Sequence, residues 1–240
     1  MEYNTTAIIL AAGQGKRMNF KNYNTNESIP IKKQFCNING ITILEYTLHP
    51  FLNVDAISEV ILVVAKEDIK YCERIYGSLS KNKKVKVIVG GNTRQSSVYS
   101  GLNSINNASD IIIIHDGVRP FINKKLIIDC IEAANRTGAA CVAVQVTDTI
   151  KIVKNKIIAE TLDRSSLWAA QTPQAFRKNI FFQAYENAIK NNYIATDDAT
   201  LVERIGYNVE IVPGSYENIK ITTPNDILVA NAIAQNYTLY

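Results

Sequence analysis

The chain is short of the residues on which many enzyme mechanisms rest. Two histidines, His49 and His115, serve 240 residues, and no cysteine stands beside either, so a Ser-His or Cys-His nucleophile has little to draw on. Cys36, Cys72, Cys130 and Cys141 are widely separated and form no C-x-x-C pair, which argues against zinc ligation or a redox motif and leaves them as small core or surface residues. Apolar runs such as Ile111 to Ile114 are far too short to span a bilayer. Met1-Glu2-Tyr3-Asn4 lacks the layout of a secretory signal, so a cytoplasmic protein without a membrane partner is expected. Charge of one sign is scarce too, with a net +4, no dense Lys/Arg block and no aromatic-basic alternation. Nucleic acid is therefore not an expected partner, and a small anionic substrate fits. No internal repeat is evident. What remains is a chain 47% hydrophobic and 20% charged, able to bury a large core and read as one domain over residues 1–240.

Short β-branched runs alternate with segments of helical period, the pattern of βαβ units. Residues 7–11, 60–65, 85–89, 111–114 and 141–146 are near-continuously apolar, as strands covered on both faces should be. Helices are expected over 43–52, 68–79, 95–105 and 124–135. Thr196-Asp197-Asp198 supplies a cap and acids ahead of a helix over 199–205 that stops at Gly206, and Thr223-Pro224-Asn225-Asp226 opens the last helix. The fold class is α/β, a Rossmann-like, mainly parallel sheet with helices on both faces. Two segments break the rhythm. Asn19 to Pro30 is polar and aperiodic, a loop placed to act as a lid. Residues 147–162 alternate Ile150, Ile152, Ile157 and Ile158 with lysines and read as a projecting β-hairpin, either an arm for a partner or an edge hairpin blunted by its lysines.

The most informative stretch is Ala7-Ile8-Ile9-Leu10-Ala11-Ala12-Gly13-Gln14-Gly15-Lys16-Arg17-Met18, an apolar strand running into a small-residue turn that ends in two cations. With no side chain at Gly13 and Gly15 and only methyls at Ala11 and Ala12, a polyphosphate can approach the backbone N–H groups. No third glycine completes the dinucleotide fingerprint, which weighs against hydride transfer, and no Lys-Ser/Thr pair completes a P-loop. Further candidates fall at strand ends, where open α/β sheets bind ligands. In His115-Asp116-Gly117-Val118-Arg119-Pro120, Asp116 can hold a hard cation such as Mg²⁺. Arg119 can clamp a phosphate, or pair with Asp116 to close the turn. His115, facing away from Asp116 on an extended strand, reads as structural. Gly90-Gly91-Asn92-Thr93-Arg94-Gln95-Ser96-Ser97-Val98 offers backbone amides and Ser97 to a base or ribose.

In order along the chain, A-A-G-x-G-x-R-M, K-Q-F, G-G-x-x-R-x-x-S-V, H-D-x-x-R-P, D-T-I-K, L-W-x-x-Q-T-P-Q-x-F and N-I-K-I-T-x-P make a combination that resembles the 2-C-methyl-D-erythritol 4-phosphate cytidylyltransferase family from Ala7 to about Ala234. The resemblance implies a homodimeric nucleotidyltransferase that joins CTP to a polyol phosphate, methylerythritol phosphate, and releases pyrophosphate. It implies Ala11, Ala12, Gly13, Gly15, Gly91 and Ser97 around the nucleotide, and Asp116 on Mg²⁺ or another divalent cation. Arg17 and Lys33 correspond to cations at the reacting phosphate. Arg164 and Lys220 correspond to residues orienting the attacking phosphate, with Arg119, Thr149, Thr172 and Thr196 as further substrate contacts. The arm is implied to cross to the neighbouring subunit, so that Arg164 and Thr149 serve the partner's site.

Such a reaction brings like charges together and calls for cations and alignment, not a protein nucleophile. The sequence departs from the family pattern in three places. Pro30-Ile31-Lys32-Lys33-Gln34 follows a long interval after Arg17, leaving Lys32 as the alternative to Lys33. Gly117 replaces a common alanine, which is expected to loosen that turn, and Asp198 replaces a frequent glutamate in an expected capping role. Two other readings are a cytidylyltransferase making CDP-ribitol from ribitol 5-phosphate, toward which His115 to Phe121 leans, and a non-catalytic nucleotide-binding module.

Overall fold

Strand β1 (Thr5–Ala11) sets the pattern for the whole sheet: alternate residues leave on opposite faces, and both faces are covered. Ala7, Ile9 and Ala11 join one apolar cluster while Ile8 joins another. The computed structural model describes residues 3–13, 18–21, 28–77, 79, 85–106 and 108–237, with side chains for all of these except 18–21 and 28–31. After β1 come β2 (Met18–Lys21), β3 (Ser28–Ile31), a 3₁₀ turn Lys33–Phe35, β4 (Asn37–Ile38), β5 (Ile41–Thr42) and α1 (Ile43–Leu52). Then follow β6 (Ile57–Val64), a 3₁₀ turn Lys66–Asp68, α2 (Ile69–Tyr76), β7 (Val85–Val89), α3 (Arg94–Leu102), β8 (Ile111–Asp116), α4 (Lys124–Thr137) and β9 (Ala139–Gln145). The remainder is β10 (Lys151–Lys154), β11 (Ile157–Thr161), a 3₁₀ turn Arg164–Ser166, β12 (Trp168–Arg177), α5 (Lys178–Lys190), α6 (Asp198–Arg204), β13 (Glu210–Pro213) and α7 (Pro224–Ala234).

Seven strands form one sheet in the order β13-β9-β12-β8-β1-β6-β7, parallel except for β12, which runs antiparallel to both β8 and β9. Side chains of α1, α2 and α4 pack on one face and those of α3, α5 and α6 on the other. A third cluster, with Ile38, Phe121, Ile221 and Ile227, fastens α7 beside the end of β8. From β1 the chain winds outward through β6 and β7, then crosses back to place β8 on the other side of β1. The carboxyl ends of β1 and β8 therefore flank a topological switch point, where such sheets open a crevice.

Local signals explain most boundaries. Asn123 caps α4 through its Leu126 amide, and Gly138, at φ +98°, ends it with its N–H on Ala134 O at 2.8 Å. The hairpin expected over 147–162 is present as β10–β11, turning at Asn155 and Lys156, both with positive φ, which suits a two-residue turn. Asn19–Pro30, expected as an aperiodic loop, instead contributes to an antiparallel pair of β2 and β3, register Met18↔Ile31 to Lys21↔Ser28; the remaining lid candidates, 22–27, lie outside the described residues. No helix among the described residues is long and apolar enough to cross a membrane.

Candidate active site

The crevice at the ends of β1 and β8 is a cavity of about 290 Å³ that draws on separate stretches of chain. Ala11 ends β1 and Ala12 and Gly13 follow it; Gly91 comes from the turn between β7 and α3, and Arg94 and Ser97 from the first turn of α3; Asp116 ends β8; Lys33 and Gln34 come from the first 3₁₀ turn and Lys220 from the segment before α7. The β7–α3 turn is tightly made. A Cβ on Gly90 would lie 2.8 Å from Ser97 Oγ and 3.0 Å from Val63 Cγ1, so only glycine lets that turn close against β6 and α3. Ser97 Oγ accepts from Gly91 N at 3.1 Å and lies 2.8 Å from Thr93 O, while Thr93 and Ser96 form a capping box. Ser97 thus shapes the glycine turn, and Arg94 leaves the first residue of α3 toward the cavity.

Asp116 is the charge centre. It is 7% exposed, with Lys220 Nζ 2.9 Å and Arg119 Nε 3.5 Å from Oδ2 and Arg94 Nε 3.6 Å from Oδ1. Burial works against its charge, but Lys220, Arg94 and Arg119 outweigh that penalty and hold its pKa down at about 2. Arg94 also reaches Asp198, Nη2 to Oδ2 at 2.7 Å, and Asp198 accepts from Tyr185 Oη at 2.6 Å. Burial lowers the Arg94 pKa, yet Asp198 and Asp116 raise it overall, so it stays cationic. With Lys33 added, cations outnumber carboxylates, and the cleft suits a polyanion.

Beneath Asp116 runs a chain of hydrogen bonds. Its N–H donates to Thr172 Oγ1 at 3.0 Å, Thr172 lies 3.0 Å from His115 Nδ1, and His115 Nε2 lies 3.1 Å from Arg119 O. A carbonyl only accepts, so Nε2 carries the proton, Nδ1 accepts and the threonine hydroxyl donates to it. Burial pushes the His115 pKa down to about 4, which keeps the ring neutral, and it packs on Phe51. Gly117 N donates to Leu10 O at 2.8 Å, and a Cβ there would sit 2.8 Å from that same oxygen. The expected loosening is therefore replaced by a close approach: glycine draws the Asp116 turn onto β1.

The sequence candidates separate into groups. Ala11, Ala12, Gly13, Lys33, Gly91, Ser97, Asp116 and Lys220 meet in the cavity. Arg119 lies on Asp116, its Nη1 donating to Asn218 O at 2.8 Å, the ion-pair alternative of the sequence. Thr172 is buried with its hydroxyl committed beneath Asp116. Lys32 is tied to Glu67 and Asp68. Arg164 and Thr149 are exposed at the root of the arm, Arg164 Nη1 on Thr147 O at 2.7 Å in a separate hollow with Gln145 and Tyr216. Thr196 is exposed ahead of α6, whose cap is Asp197, on Thr200 N at 3.1 Å. Asp198, expected to cap, is instead a buried partner of Arg94. Gly15 and Arg17 lie outside the described residues. Sequence reasoning misses Arg94 and Asp198 as a pair: both stand in quoted motifs, but their contact joins distant parts of the chain.

The model of the 2-C-methyl-D-erythritol 4-phosphate cytidylyltransferase family (IspD) matches residues 5–236. The chain belongs to this family. It is 42% identical over 228 residues to the 2-C-methyl-D-erythritol 4-phosphate cytidylyltransferase of Clostridioides difficile, covering 95% of this chain and 92% of that one. With the protein of the same name from Alkaliphilus metalliredigens, identity is 44% over 230 residues, again 95% and 92% of the two chains. Among solved structures, the 4-diphosphocytidyl-2C-methyl-D-erythritol synthase of Anaerococcus prevotii superposes with a TM-score of 0.83 at 33% identity, covering 97% of this chain and 96% of that one. The cytidylyltransferase of Thermus thermophilus gives 0.76 at 29%, covering 98% and 100%. Family members thus share the sheet that builds the Asp116 cleft.

Proposed function

We propose that the chain is a cytidylyltransferase that transfers CMP from CTP to 2-C-methyl-D-erythritol 4-phosphate. The carrying observation is Asp116 held ionised by Arg94, Arg119 and Lys220 in a cleft that also receives Lys33. In the reaction a phosphate oxygen of the polyol phosphate attacks the α-phosphorus of CTP, the bond to the bridging oxygen breaks, and pyrophosphate leaves with that electron pair. No protein nucleophile is needed. Catalysis comes from bringing two anions into line and neutralising the charge that builds on the α-phosphoryl oxygens.

The residues divide that work. Ala11, Ala12, Gly13, Gly15 and Gly91 offer backbone to the nucleotide, and Ser97 supports the Gly91 turn. Lys33 and Arg17 neutralise the reacting phosphate; Lys220 and Arg119 stand beside Asp116, and Thr172 sets its backbone. Asp116 is also a fitting Mg²⁺ residue. Among the described residues no group of three or more His, Cys, Asp or Glu could cage a metal, but Mg²⁺ needs only one or two carboxylates when phosphate oxygens complete its shell. Bound there, the ion supplies charge neutralisation to the triphosphate. Arg164, Thr149 and Thr196 remain for the polyol phosphate, the first two delivered by the arm of a second copy in a homodimer. The arm's exposed Val153, Ile157 and Ile158 support that assignment. A cytoplasmic location is supported by four cysteines, all free and buried.

Pyrophosphate release with CTP and Mg²⁺, run in parallel with methylerythritol 4-phosphate and ribitol 5-phosphate, tests the reading. Turnover on the first is the expected result. Turnover on the second alone moves the acceptor to ribitol phosphate, and release with neither from folded protein overturns catalysis.

A further inference from the structure

The four residues 32–35 have different attachments. Lys32 Nζ lies 2.6 Å from Asp68 Oδ2 and 2.8 Å from Glu67 Oε1, in the turn that follows β6. Gln34 Nε2 donates to Ala11 O at 3.0 Å, at the end of β1. The Phe35 ring meets Tyr71 of α2 edge-on, with centroids 5.1 Å apart. Lys33 is the one cation of the four on the cavity lining. The turn itself is a single 3₁₀ turn closed by Phe35 N on Lys32 O and Cys36 N on Lys33 O, with no side-chain cap, too little to fix its own orientation.

Lysine is a point charge on a flexible stem, so where its head group reaches depends on where its backbone is held. The Lys32–Asp68 pair is suited to holding it: both side chains are largely withdrawn from water, 18% and 11% exposed, so the pair is screened less than a surface contact. We propose that Lys32, through Asp68 and Glu67, is a positioning residue that fixes where Lys33 meets the substrate phosphates. The proposal rests on the reading of Lys33 as the cation at the reacting phosphate. It gives the doubled lysine of Pro30-Ile31-Lys32-Lys33-Gln34 a division of labour, one lysine as anchor and one as tool.

The test compares Lys32→Met, Lys32→Arg, Lys33→Ala and the double Glu67→Gln/Asp68→Asn variant by steady-state pyrophosphate release. Lys32→Met is expected to lower kcat on the order of tenfold, with KM for CTP within about twofold, because misplacement and not lost affinity is the cause. Lys32→Arg should recover most of the loss, and the Glu67/Asp68 variant should reproduce it from the opposite side. In a Lys33→Ala background Lys32→Met should add less than about twofold, as coupled sites do. A loss that multiplies in that background overturns the proposal, since Lys32 then acts on its own account; so does unchanged kcat in Lys32→Met while Lys33→Ala is impaired. Wild-type turnover in Lys33→Ala overturns the underlying reading of Lys33 instead. Should Lys32→Met fail to fold, the Glu67→Gln/Asp68→Asn variant, which keeps Lys32, carries the same comparison.

Discussion

Asp116 and the arm residue Ile157 sit in opposite surroundings. The first is 7% exposed with cations on both carboxylate oxygens; the second is 71% exposed on a two-stranded ribbon separate from the main sheet. The cleft is organised in advance by stretches of chain that fix one another, through Gln34 on Ala11, Gly117 on Leu10 and Thr172 under Asp116. A lone two-stranded ribbon is marginal in water, and β10–β11 shows its apolar side chains to solvent. One region holds its charges within a single chain, whereas the other leaves its apolar side chains in solvent, which is what the proposed second copy would cover. Under the proposed function, that difference would separate nucleotide activation, at Asp116, from recognition of the acceptor phosphate, by Arg164.

Breaking the cleft should have the largest effect. Asp116→Ala is expected to cut kcat/KM on the order of 10²–10³-fold, and Lys220, Arg94 and Arg119 lose their common partner, so the melting temperature should fall as well. Breaking the arm should act differently. Ile157→Lys with Ile158→Lys should give a monomer by sedimentation with a melting temperature lowered only by the lost association, but turnover down about a hundredfold, because in the proposed dimer Arg164 would no longer reach the partner's site. Mixing Asp116→Ala with Arg164→Ala protein sharpens the comparison: if the arm serves the partner's cleft, about half of the redistributed dimers carry one intact site, restoring about a quarter of wild-type activity. No recovery in demonstrated mixed dimers places Arg164 in its own subunit's site or none. Asp198→Asn is a smaller perturbation, keeping an acceptor for Tyr185 while removing the charge facing Arg94. It should cost about 2 kcal/mol by denaturant unfolding.

The two regions are not equally legible in the sequence. Strands β1 and β8 and residues 60–64 of β6 announce themselves because burial on both faces demands apolar runs; the edge strand β7, with Lys86 and Val89 exposed, shows the pattern only in part, and the helix expected over 43–52 is found there, capped by Thr42. Strand β12 is hidden, because Gln171-Thr172-Pro173-Gln174 reads as a turn and the ladder to β9 does break between Ala170 and Gln174. Helix α5 begins at Lys178 after Arg177, which makes no side-chain cap bond, so its start carries no punctuation. At the site, the resemblance selects Asp116, Lys220 and Lys33, all of which line the cleft. It leaves Lys32 and Lys33 unresolved, since Glu67 and Asp68, which claim Lys32, lie on another strand's loop. Arg94 and Asp198 show the same limit: Arg94 stands inside a quoted motif and Asp198 has a local reading as a capping acid, and only the fold shows that the two meet.

The finest comparison is within the cleft itself, between its two titrating supports. His115 has a pKa of about 4 against an ordinary 6.5, because burial disfavours its charged form; Asp116 has about 2 against 3.8, where its cations outweigh burial. In both cases the unfolded chain binds the proton first, so stability rises with pH across each window. The His115 contribution is complete above about pH 6.5 and is lost as pH falls toward 4; the Asp116 contribution is complete above 3.8 and is lost as pH falls through 2. His115→Gln removes the first titration without touching the second. The difference between wild-type and His115→Gln unfolding free energies should therefore change by at most about 1.4 kcal/mol per pH unit between 6.5 and 4 and stay flat above about 7. A difference that stays flat through the whole range would mean that the imidazole takes up its proton in place, turning Thr172 away from Nδ1 and freeing its hydroxyl from the support of Asp116.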